Sequence, residues 1–415
     1  MKEAATPPPQ AADATDTPRH APAGAPFDFD VTIVGAGPVG LALAGWLARR
    51  SATQALSVAL IDAREPEDAV SDPRAIAVSQ GSRMILEPLR WPADATAIQR
   101  IHVSQRGHFG RTLIDHTEHG LPALGYVLRY GSIVHALAQA VHATPVHWFR
   151  STSALPPTQE HDGVTLPIEN AHVTRNLRTR ILVNAEGGLY HEQRNASGAT
   201  RDYGQTALVG TVTLSAPQPH VAWERFTSEG PIALLPIGGV RGADYALVWC
   251  CSPEAAARRT QLPDEAFLAE LGAAFGDRMG RFTQIKGRAS FPLGLNAVDT
   301  LVTGRTVAIG NAAQTLHPVA GQGLNLGLRD AHALVDALVD ALAQHGPTPV
   351  ALAAFAARRA LDRRLTIGAT DTLARLFTID APLLPTLRGL ALTALEFLPP
   401  VKTALARQMM FGQRR

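Results

Sequence analysis

Residues 31–40 read VTIVGAGPVG, and the helical pattern LALAGWLARR follows them directly. An apolar run, a G-x-G-x-x-G spacing and a helical pattern in this order are typical of the strand, turn and helix that bind a dinucleotide. In that arrangement Gly35 makes the tight turn, Gly37 lets the backbone approach the pyrophosphate, and Gly40 lets the helix pack closely on the strand. The stretch therefore predicts a Rossmann-like α/β domain.

A carboxylate at the expected spacing supports this interpretation. Residues 56–61 (LSVALI) form a second apolar run that ends in Asp62, about twenty residues after the glycines. An acid at this place accepts hydrogen bonds from a ribose hydroxyl of the dinucleotide. Asp62 is therefore a predicted cofactor residue, together with Pro38 and Val39 inside the glycine motif.

A second glycine-rich stretch, residues 307–330, reads VAIGNAAQTLHPVAGQGLNLGLRD. Its pattern predicts a short buried strand, a polar loop and a long helix from about Leu324. Gly321 and Gly323 allow the backbone to approach a ligand closely, and Pro318 restricts the loop before them. Because the first N–H groups of a helix lack partners and carry partial positive charge, this helix start could bind an anion. The alternative is an ordinary strand–loop–helix connection.

The distance between the two glycine-rich stretches distinguishes between dinucleotides. A domain that binds only NAD would complete its site within the first half of the chain, whereas here the second helix start follows roughly 280 residues after the first. This spacing favours FAD, with the ADP half at the first motif and the flavin near the second helix. Positive potential at that helix start would stabilise a reduced, anionic flavin.

Composition argues against several other classes of protein. The chain has 415 residues, of which 46% are hydrophobic and 18% charged, as is ordinary for a globular protein with about two or three domains. A formal net charge of +2 gives no basic surface of the kind that binds nucleic acid. Cys250 and Cys251 are adjacent, so they provide neither a disulfide nor a metal-binding spacing. We therefore expect no metal, no nucleic-acid partner and a reducing, cytoplasmic environment.

The two ends of the chain have distinct patterns. Residues 1–28 are rich in Pro and Ala and lack an apolar core, so we expect a disordered tail and not a signal peptide. Residues 381–401 are apolar but contain Arg388 and Glu396, so they are not expected to span a membrane. Their apolar stripe, followed by basic residues, could dock on the protein's own core, on a partner subunit or on a membrane surface.

Several longer stretches carry a resemblance to a known family: DVTIVGAGPVGLALA at 30–44, DPRAIAVSQGSRMILEPL at 72–89, QTALVGTVTL at 205–214, WERFTSEGPIALLPI at 223–237, GNAAQTLHPVAGQGLNLGLRDAHAL at 310–334 and RLTIGATDTLARLF at 364–377. In this order they resemble the class A flavoprotein monooxygenases, and within them the ubiquinone-biosynthesis hydroxylases of the UbiH/VisC type. The most similar branch acts on 2-polyprenyl-6-methoxyphenol and hydroxylates the ring carbon para to the existing hydroxyl.

The resemblance implies an FAD-dependent hydroxylase that inserts one oxygen atom from O2 into a polyprenyl phenol through a flavin C4a-hydroperoxide. The cofactor carries this chemistry, so no protein nucleophile or metal is required. NAD(P)H is the expected reductant, and an external electron donor is the alternative. A quinone-biosynthesis complex and the inner face of the membrane could be further partners. Two other readings stay open: another FAD enzyme, such as a prenyl reductase or a peroxide-forming oxidase, and a weakly catalytic flavoprotein scaffold.

The resemblance also implies cofactor contacts outside the residues named so far. Glu186 stands where relatives usually have Asp, and the Ser and Arg that usually follow are missing, which puts the local geometry in doubt. Asn311 stands where the wider class has Asp, yet an amide can still bond a ribityl hydroxyl. The positions implied in this way are Arg74, Arg129, Glu186, Gly187, Gly310, Asn311, Leu324 and Asn325.

Short alternations of apolar and polar residues between 206 and 291 predict strands of a sheet that covers the reactive face of the flavin. Candidate pocket residues are Trp223, Phe226, Leu234 and Trp249, for each of which a plain core position is the alternative. His317 is expected to hold its loop by a hydrogen bond in preference to transferring a proton.

The expected fold is α/β, with a Rossmann-like FAD-binding domain, an inserted mixed β-sheet substrate domain and a C-terminal helical segment. The expected division of the chain is a tail at 1–28, FAD-binding segments at 29–105, 125–200 and 299–378, substrate-domain segments at 106–124 and 201–298, and the helical segment at 379–415.

Overall fold

The computed structural model describes residues 26–72, 74–187, 198–343, 348–376 and 384–413. The expected tail at 1–28 lies almost wholly outside these residues. Their strands, in chain order, are β1 (Phe29–Val34), β2 (Val58–Ile61), β3 (Ala75–Ser79), β4 (Thr96–Ile98), β5 (Arg100–Gln105), β6 (Arg111–Asp115), β7 (Gly125–Arg129), β8 (His147–Phe149), β9 (Ser153–Ala154), β10 (Thr158–Gln159), β11 (Val164–Asn170), β12 (Val173–Asn184), β13 (Gly198–Leu214), β14 (Val221–Phe226), β15 (Pro231–Gly238), β16 (Asp244–Cys251), β17 (Phe282–Val298), β18 (Val302–Thr303), β19 (Thr306–Ala308) and β20 (Gln314–Thr315).

The helices of the described residues separate and cover these strands. They are α1 (Pro38–Arg49), α2 (Gln80–Leu86), α3 (Tyr130–His142), α4 (Pro253–Gln261), α5 (Asp264–Phe275), α6 (Gln322–Leu342), α7 (Pro349–Leu376), α8 (Leu384–Phe397) and α9 (Pro399–Phe411). Every one of them is either too short or too polar to cross a bilayer.

The first sheet has a parallel core in the order β19, β12, β1, β2, β8. Parallel strands are covered on both faces, which explains their continuous apolar runs: all four residues of β2, VALI, are buried. Helices α1, α3, α6 and α7 share one large hydrophobic core with these strands. Antiparallel strands β11, β10 and β9 extend the sheet beyond β12. This layer has the Rossmann-like arrangement that the first glycine motif predicted.

The second sheet has the order β20, β17, β13, β16, β15, β14, β5, β6. Its neighbouring strands run antiparallel except β14 and β5, which run parallel, so the sheet is mixed as expected. Helices α4 and α5 cover one face, where large side chains such as Tyr245, Trp249 and Phe275 form a second hydrophobic core. The other face remains available to line a cavity.

A small antiparallel sheet, β3–β7–β4, joins the two larger ones. Val127 of β7 packs with Ala222 and Leu235 of the second sheet. On its other side, the buried amide of Asn325 in α6 accepts a hydrogen bond from the Ser79 N–H at 2.9 Å and donates one to the Ala77 carbonyl at 3.0 Å. The position of α6 is thereby tied to the small sheet.

Buried ion pairs fix α6 against α7. Arg329 of α6 pairs with Asp362 at 2.9 Å, and Arg359 of α7 pairs with Asp330 at 2.7 Å. Asp330 also accepts a hydrogen bond from the side chain of Gln314 in β20, at 2.8 Å. Removing one member of such a buried pair leaves an uncompensated charge, which is strongly destabilising. Helix α6 is therefore held against α7 and β20.

The observed elements shift two expected boundaries. The pair β5–β6 belongs wholly to the second sheet, so the substrate-side excursion begins at Arg100, whereas the expected boundary at 105/106 cuts between these two strands. Helix α6 begins at Gln322, two residues before the expected Leu324. The C-terminal helices cover the edge of this sheet, where the Thr112 hydroxyl of β6 donates to the Leu392 carbonyl of α8 at 2.7 Å.

Candidate cofactor and substrate site

The first glycine motif forms a tight turn between β1 and α1. Gly35 has φ +106°, and a Cβ atom there would lie 2.6 Å from the Ala185 carbonyl oxygen, so a side chain is excluded by conformation and by space. A Cβ atom on Gly40 would lie 1.9 Å from the Gly35 oxygen. These two glycines let the helix start sit directly on the ends of β1 and β12.

Gly37 differs from its two neighbours because it faces open space. A Cβ atom there would meet only the Tyr130 hydroxyl, at 3.6 Å. Gly37 is the N-cap of α1, and no side chain caps this helix end. Its free backbone donors therefore face a space that a phosphate group can enter.

Asp62 lies at the carboxyl end of β2 and points toward the glycine turn. Its carboxylate accepts hydrogen bonds from the Ala36 N–H at 2.6 Å and the Arg64 N–H at 2.8 Å. Each carboxylate oxygen can accept a further bond. This position, beside the first motif, is the one expected for an acid that bonds a ribose hydroxyl.

The second glycine motif forms the start of α6. Gly321 is its N-cap, in the left-handed conformation with φ +58°, and no side chain caps the helix. Pro318 begins the short turn before it. A Cβ atom on Gly323 would have no neighbour within 4 Å. This helix start, like that of α1, presents uncapped donors to open space.

The starts of α1 and α6 are in direct contact. A Cβ atom on Gly310 would lie 3.2 Å from the methyl groups of Val39, and one on Gly327 would lie 2.8 Å from Val39 and 2.9 Å from the Gly310 Cα. Val39, in the first turn of α1, thus packs between the loop after β19 and the second turn of α6. The two glycine motifs, distant in sequence, are neighbours in space.

Arg74 links the first motif to the interior of the protein. Its guanidinium lies 4.5 Å from the ring centre of Tyr130, whose hydroxyl is beside Gly37, and it pairs with Asp72 at 2.6 Å. Burial opposes ionisation of Asp72, but hydrogen bonds and charge from Arg74 outweigh it and lower the pKa of that carboxyl. Arg74 is therefore held as a fixed cation near the first motif and at the wall of the cavity described below.

Three other expected contacts lie near the glycine motifs. Gly187 faces Asn311, since a Cβ atom on the glycine would lie 3.6 Å from the Asn311 Cβ. Glu186 is exposed, yet partial desolvation and the charge of Asp62 raise the pKa of its carboxyl. Arg129 is exposed and makes no ion pair within the described ranges.

The side chain of Asn325 is fully engaged by the protein. Besides its bonds to β3, its amide donates to the Gly321 carbonyl at 2.7 Å. Leu324, next to it, borders the cavity described below. The position of Asn325 thus favours a role in shaping the turn, and its direct contact with the cofactor stays a prediction.

His317 is buried, with 1% of its surface exposed, and both ring nitrogens have partners. The Val319 N–H donates to Nδ1 at 3.1 Å, so Nε2 carries the proton and donates to the Gln205 side-chain oxygen at 3.1 Å. Burial lowers the pKa of the imidazole to about 4. A neutral, doubly bonded histidine matches the expectation that it holds the loop.

A cavity of about 570 Å³ lies between the α6 start and the free face of the second sheet, within the range of small-molecule sites. Helices α8 and α9 close it on the remaining side. Its wall is predominantly apolar, and the contributing residues include Ala77, Val103, Ala207, Val209, Phe226, Ala233, Leu235, Val248, Phe291, Leu293, Leu324, Leu392, Leu395, Leu405 and Met409.

The four residues predicted to line the pocket divide between the two faces of the sheet. Phe226 borders the cavity and packs on Val319 of the second motif. Trp223 reaches the cavity wall, but its ring lies 4.1 Å from that of His102, in the core under α5. Leu234 and Trp249 are fully buried in that core and do not border the cavity.

This distribution corrects the expectation for Leu234 and Trp249. The prediction favours large apolar residues, but successive side chains of a strand point to opposite faces, and the large ones fill the core beneath α4 and α5. Their smaller neighbours Ala233 and Val248 line the cavity instead.

Sequence reasoning also missed part of the cavity wall. Glu224 of β14 borders the cavity, as do Arg388 of α8 and several apolar residues of α8 and α9. The apolar stripe at 381–401 was a usable signal for the helices. No group of side chains within the described residues is suited to hold a metal ion.

Comparison with known proteins gives a family match over most of the chain. Residues 28–367 match the model of the FAD binding domain family. The chain belongs to this family. It is a class A FAD-dependent monooxygenase, as the sequence motifs predicted.

Relatives of this FAD-binding protein include ubiquinone hydroxylase UbiL of Rhodospirillum rubrum, 31% identical over 392 residues, covering 92% of this chain and 89% of the relative. The 3-demethoxyubiquinol 3-hydroxylase of Escherichia coli is 31% identical over 385 residues, covering 88% and 94%. The crystal structure of p-nitrophenol 4-monooxygenase PnpA from Pseudomonas putida superposes with a TM-score of 0.72 at 16% identity, covering 93% of this chain and 99% of that one. This last likeness shows the fold.

The site of this family member fits FAD. Gly37 opens a space at one uncapped helix start, Gly323 opens another, and Val39 brings the two helices together. Asp62 supplies an acceptor beside the first motif, and Arg74 a cation toward the cavity. A dinucleotide that carries a flat ring system can occupy both open spaces, one at each helix start.

Proposed function

We propose that the protein hydroxylates the aromatic ring of a polyprenyl phenol, using FAD, NAD(P)H and O2. The observation that supports this most directly is the cavity itself. An apolar chamber of about 570 Å³ adjoins the start of α6, so a ring and part of an isoprenoid chain can lie beside the flavin position. Two relatives that match almost the whole chain are hydroxylases in name, one acting on ubiquinone and one on 3-demethoxyubiquinol.

The chain's own residues bind and orient the reactants in this proposal. The donors around Gly37 and the carboxylate of Asp62 hold the ADP half, and those around Gly323 face the flavin. FAD, once bound, supplies the chemistry that activates O2 with electrons from NAD(P)H. The sheet face around Ala233 and Phe226 excludes water and presents the substrate ring.

The first candidate substrate is 2-polyprenyl-6-methoxyphenol, as the sequence resemblance implied. It supplies an electron-rich ring, which hydroxylation by this class requires, and a chain that suits the apolar wall formed by Leu392, Leu395 and Leu405. Because one relative is named for a quinol, 3-demethoxyubiquinol, that ring is the competing substrate.

A product assay tests the proposal. The purified protein, loaded with FAD, is supplied with NAD(P)H, ¹⁸O2 and short-chain versions of the two candidate substrates. We expect a product heavier by one labelled oxygen from one of them. Oxygen consumed with stoichiometric peroxide and no oxygenated product would identify an oxidase instead. In cells that lack the protein, the intermediate that accumulates identifies the ring position attacked.

We also propose that the C-terminal helices contact the membrane surface where a polyprenyl substrate resides. The α8–α9 surface, defined as Leu387, Leu390, Phe397, Leu398 and Val401, is exposed, with Phe397 at 77%. Leu405 is both 40% exposed and part of the cavity wall. Leu405 therefore links the exposed apolar face of these helices to the cavity wall, which suits a substrate that arrives from a lipid surface.

Vesicle flotation tests this contact. Phe397→Ser combined with Leu398→Ser should reduce binding to vesicles that contain anionic phospholipid several-fold and leave the thermal midpoint unchanged. Val240→Ser is the matched control, because Val240 is also exposed, at 83%, but lies in the turn between β15 and β16. Equal binding by wild type and the double variant would contradict the proposal.

A further inference from the structure

One carboxyl group lies in the wall of the apolar cavity. Glu224 is in the middle of β14, opposite Ala233 of β15 and Val103 of β5, and all three border the cavity. The neighbouring Arg225 alternates to the other face, over the ring of Phe275. The strand register therefore directs the Glu224 side chain into the cavity.

The Glu224 carboxyl makes no hydrogen bond or ion pair with any residue of the described ranges. Its side chain is half-buried in the cavity wall. Burial raises the pKa of this carboxyl to about 7. An unpartnered carboxyl in an apolar wall is costly, which points to a ligand that provides the missing hydrogen bond.

The flanking residues of β14 place Glu224 close to the cofactor side. Two residues before it, Ala222 packs in the cluster that contains Ala77, the neighbour of Gly321. Two residues after it, Phe226 packs on Val319 of the second glycine motif. Because two residues of a strand span about 7 Å, Glu224 lies between these contacts and faces the loop that begins α6.

Other titratable groups at the cavity are poor proton acceptors. His317 uses both ring nitrogens within the protein, and Arg74 and Arg388 are cations. Cys250 of β16 does not border the cavity and is fully buried, and burial raises the pKa of its thiol well above its usual value. Among the described residues that border the cavity, Glu224 is the only Asp or Glu.

We propose that Glu224 accepts the phenolic proton of the substrate while the ring is hydroxylated. This rests on the proposed function. The phenol O–H bond breaks, the proton goes to the carboxylate, and the electron pair remains on the phenol oxygen, where it enriches the ortho and para ring carbons. One of these carbons forms a bond to one oxygen atom of O2, and the other oxygen atom leaves as water. NAD(P)H supplies two electrons and one hydrogen, solvent supplies one proton, and the proton lost by the substituted carbon completes the water. Glu224 then returns the phenolic proton to the ring oxygen, which restores the aromatic ring.

The first test is the pH dependence of turnover in Glu224→Gln, an isosteric variant. In wild type, turnover should rise with pH through about 7, because the carboxylate must be ionised to accept a proton. In Glu224→Gln the turnover rate should fall roughly 100-fold, with little change in KM. The rise in turnover near pH 7 should disappear in this variant. Glu254→Gln, an exposed carboxyl of α4, is the control and should behave as wild type.

The second test does not depend on hydroxylation. In the FAD-loaded protein, 4-nitrophenol serves as a coloured phenol whose phenolate absorbs at longer wavelength. Bound 4-nitrophenol should ionise to the phenolate at a higher pH in wild type, where it lies next to the Glu224 carboxylate, than in Glu224→Gln. Flavin absorbance and thermal midpoints verify that both proteins are folded and loaded.

The two tests separate the two proposals. If wild type hydroxylates its substrate and Glu224→Gln retains both the rate and the pH profile, the role of Glu224 is wrong and the proposed function stands. If wild type hydroxylates no prenylated phenol, the proposed function fails, and the 4-nitrophenol titration alone decides whether Glu224 contacts a phenol. Identical titrations in wild type and variant overturn the assignment.

Discussion

The cofactor cradle around Gly37 and Gly323 and the cavity face of the second sheet are built from different parts of the chain. Backbone donors and missing side chains make the cradle. Side chains from strands of the second and the small sheet and from α8 and α9 make most of the cavity. The shape of the cradle depends on single glycines at which a side chain would block the site. The lining of the cavity depends on which face of a strand each residue occupies.

The largest expected effect on flavin binding in a folded protein is at Gly37. Gly37→Val places a branched side chain in the space that the pyrophosphate needs, yet the nearest protein atom is 3.6 Å from the Cβ position, so the fold should survive. We expect flavin affinity to fall at least roughly 100-fold, equivalent to about 2.7 kcal/mol, with little change in the apo-protein's thermal midpoint. Flavin absorbance after gel filtration measures the loss.

Gly40→Val and Gly272→Val are the matched comparisons. A Cβ on Gly40 meets the Gly35 oxygen at 1.9 Å, so this variant should lose the fold together with the flavin. Gly272 has no neighbour within 4 Å and lies in α5, so its variant should keep both. Full flavin occupancy in Gly37→Val would mean that the pyrophosphate lies elsewhere.

The next effect separates the two faces of β15. Leu234→Ala should lower the free energy of unfolding by about 2–5 kcal/mol, because it leaves a hole in the core under α5. Ala233→Phe should instead weaken substrate binding and leave flavin binding intact, because it fills the cavity. Denaturant unfolding and substrate titration measure the pair. If Leu234→Ala weakened substrate binding and Ala233→Phe lowered the free energy of unfolding, the two faces of β15 would be assigned the wrong way round.

His317 connects cradle and cavity, and its effect depends on pH. Its folded pKa of about 4 lies below the unfolded value of 6.5, so the native state binds fewer protons. Its contribution to stability is therefore complete above pH 6.5 and is lost as the pH falls toward 4, by on the order of 3 kcal/mol. Thermal midpoints from pH 7 to 4 should fall less steeply in His317→Gln than in wild type.

The smallest expected effect is at Asp62. Loss of its charge-assisted hydrogen bond should weaken FAD binding by about 1.5–3 kcal/mol in Asp62→Ala. Because the carboxylate also accepts the Ala36 and Arg64 N–H groups, the loop should loosen as well. Asp62→Asn, which keeps one acceptor oxygen, should lose less. Fluorescence titration with FAD measures both, and unchanged affinity would remove Asp62 from the ribose.

The difference between the two regions also explains what the sequence reveals. Gly35, Gly37 and Gly40 could be recognised because the motif gives each a separate reason at a fixed spacing. The structure shows a positive φ at Gly35, open space at Gly37 and a close backbone approach at Gly40. The start of α6 was misplaced by two residues, because Gly321 caps the helix where Leu324 was expected to begin it.

The cavity face was less readable. In the stretch WERF, Glu224 and Arg225 are adjacent, so alternation alone does not tell which one faces a ligand. Side-chain size did not identify the cavity residues either, because the large Leu234 and Trp249 fill the core and the small Ala233 lines the cavity. Only the register of β14 with β15 and β5 decides the question, and register depends on pairing between distant parts of the chain.

Val39, wedged between Gly310 and Gly327, has a consequence for the timing of cofactor uptake. A ribosome completes the strand and helix of the first motif long before it reaches the residues against which Val39 packs. Domains generally begin to fold from the N-terminus during synthesis. Here the FAD site is complete only after residue 327 has emerged from the ribosome. Chains that are released from the ribosome before that point should therefore bind no flavin.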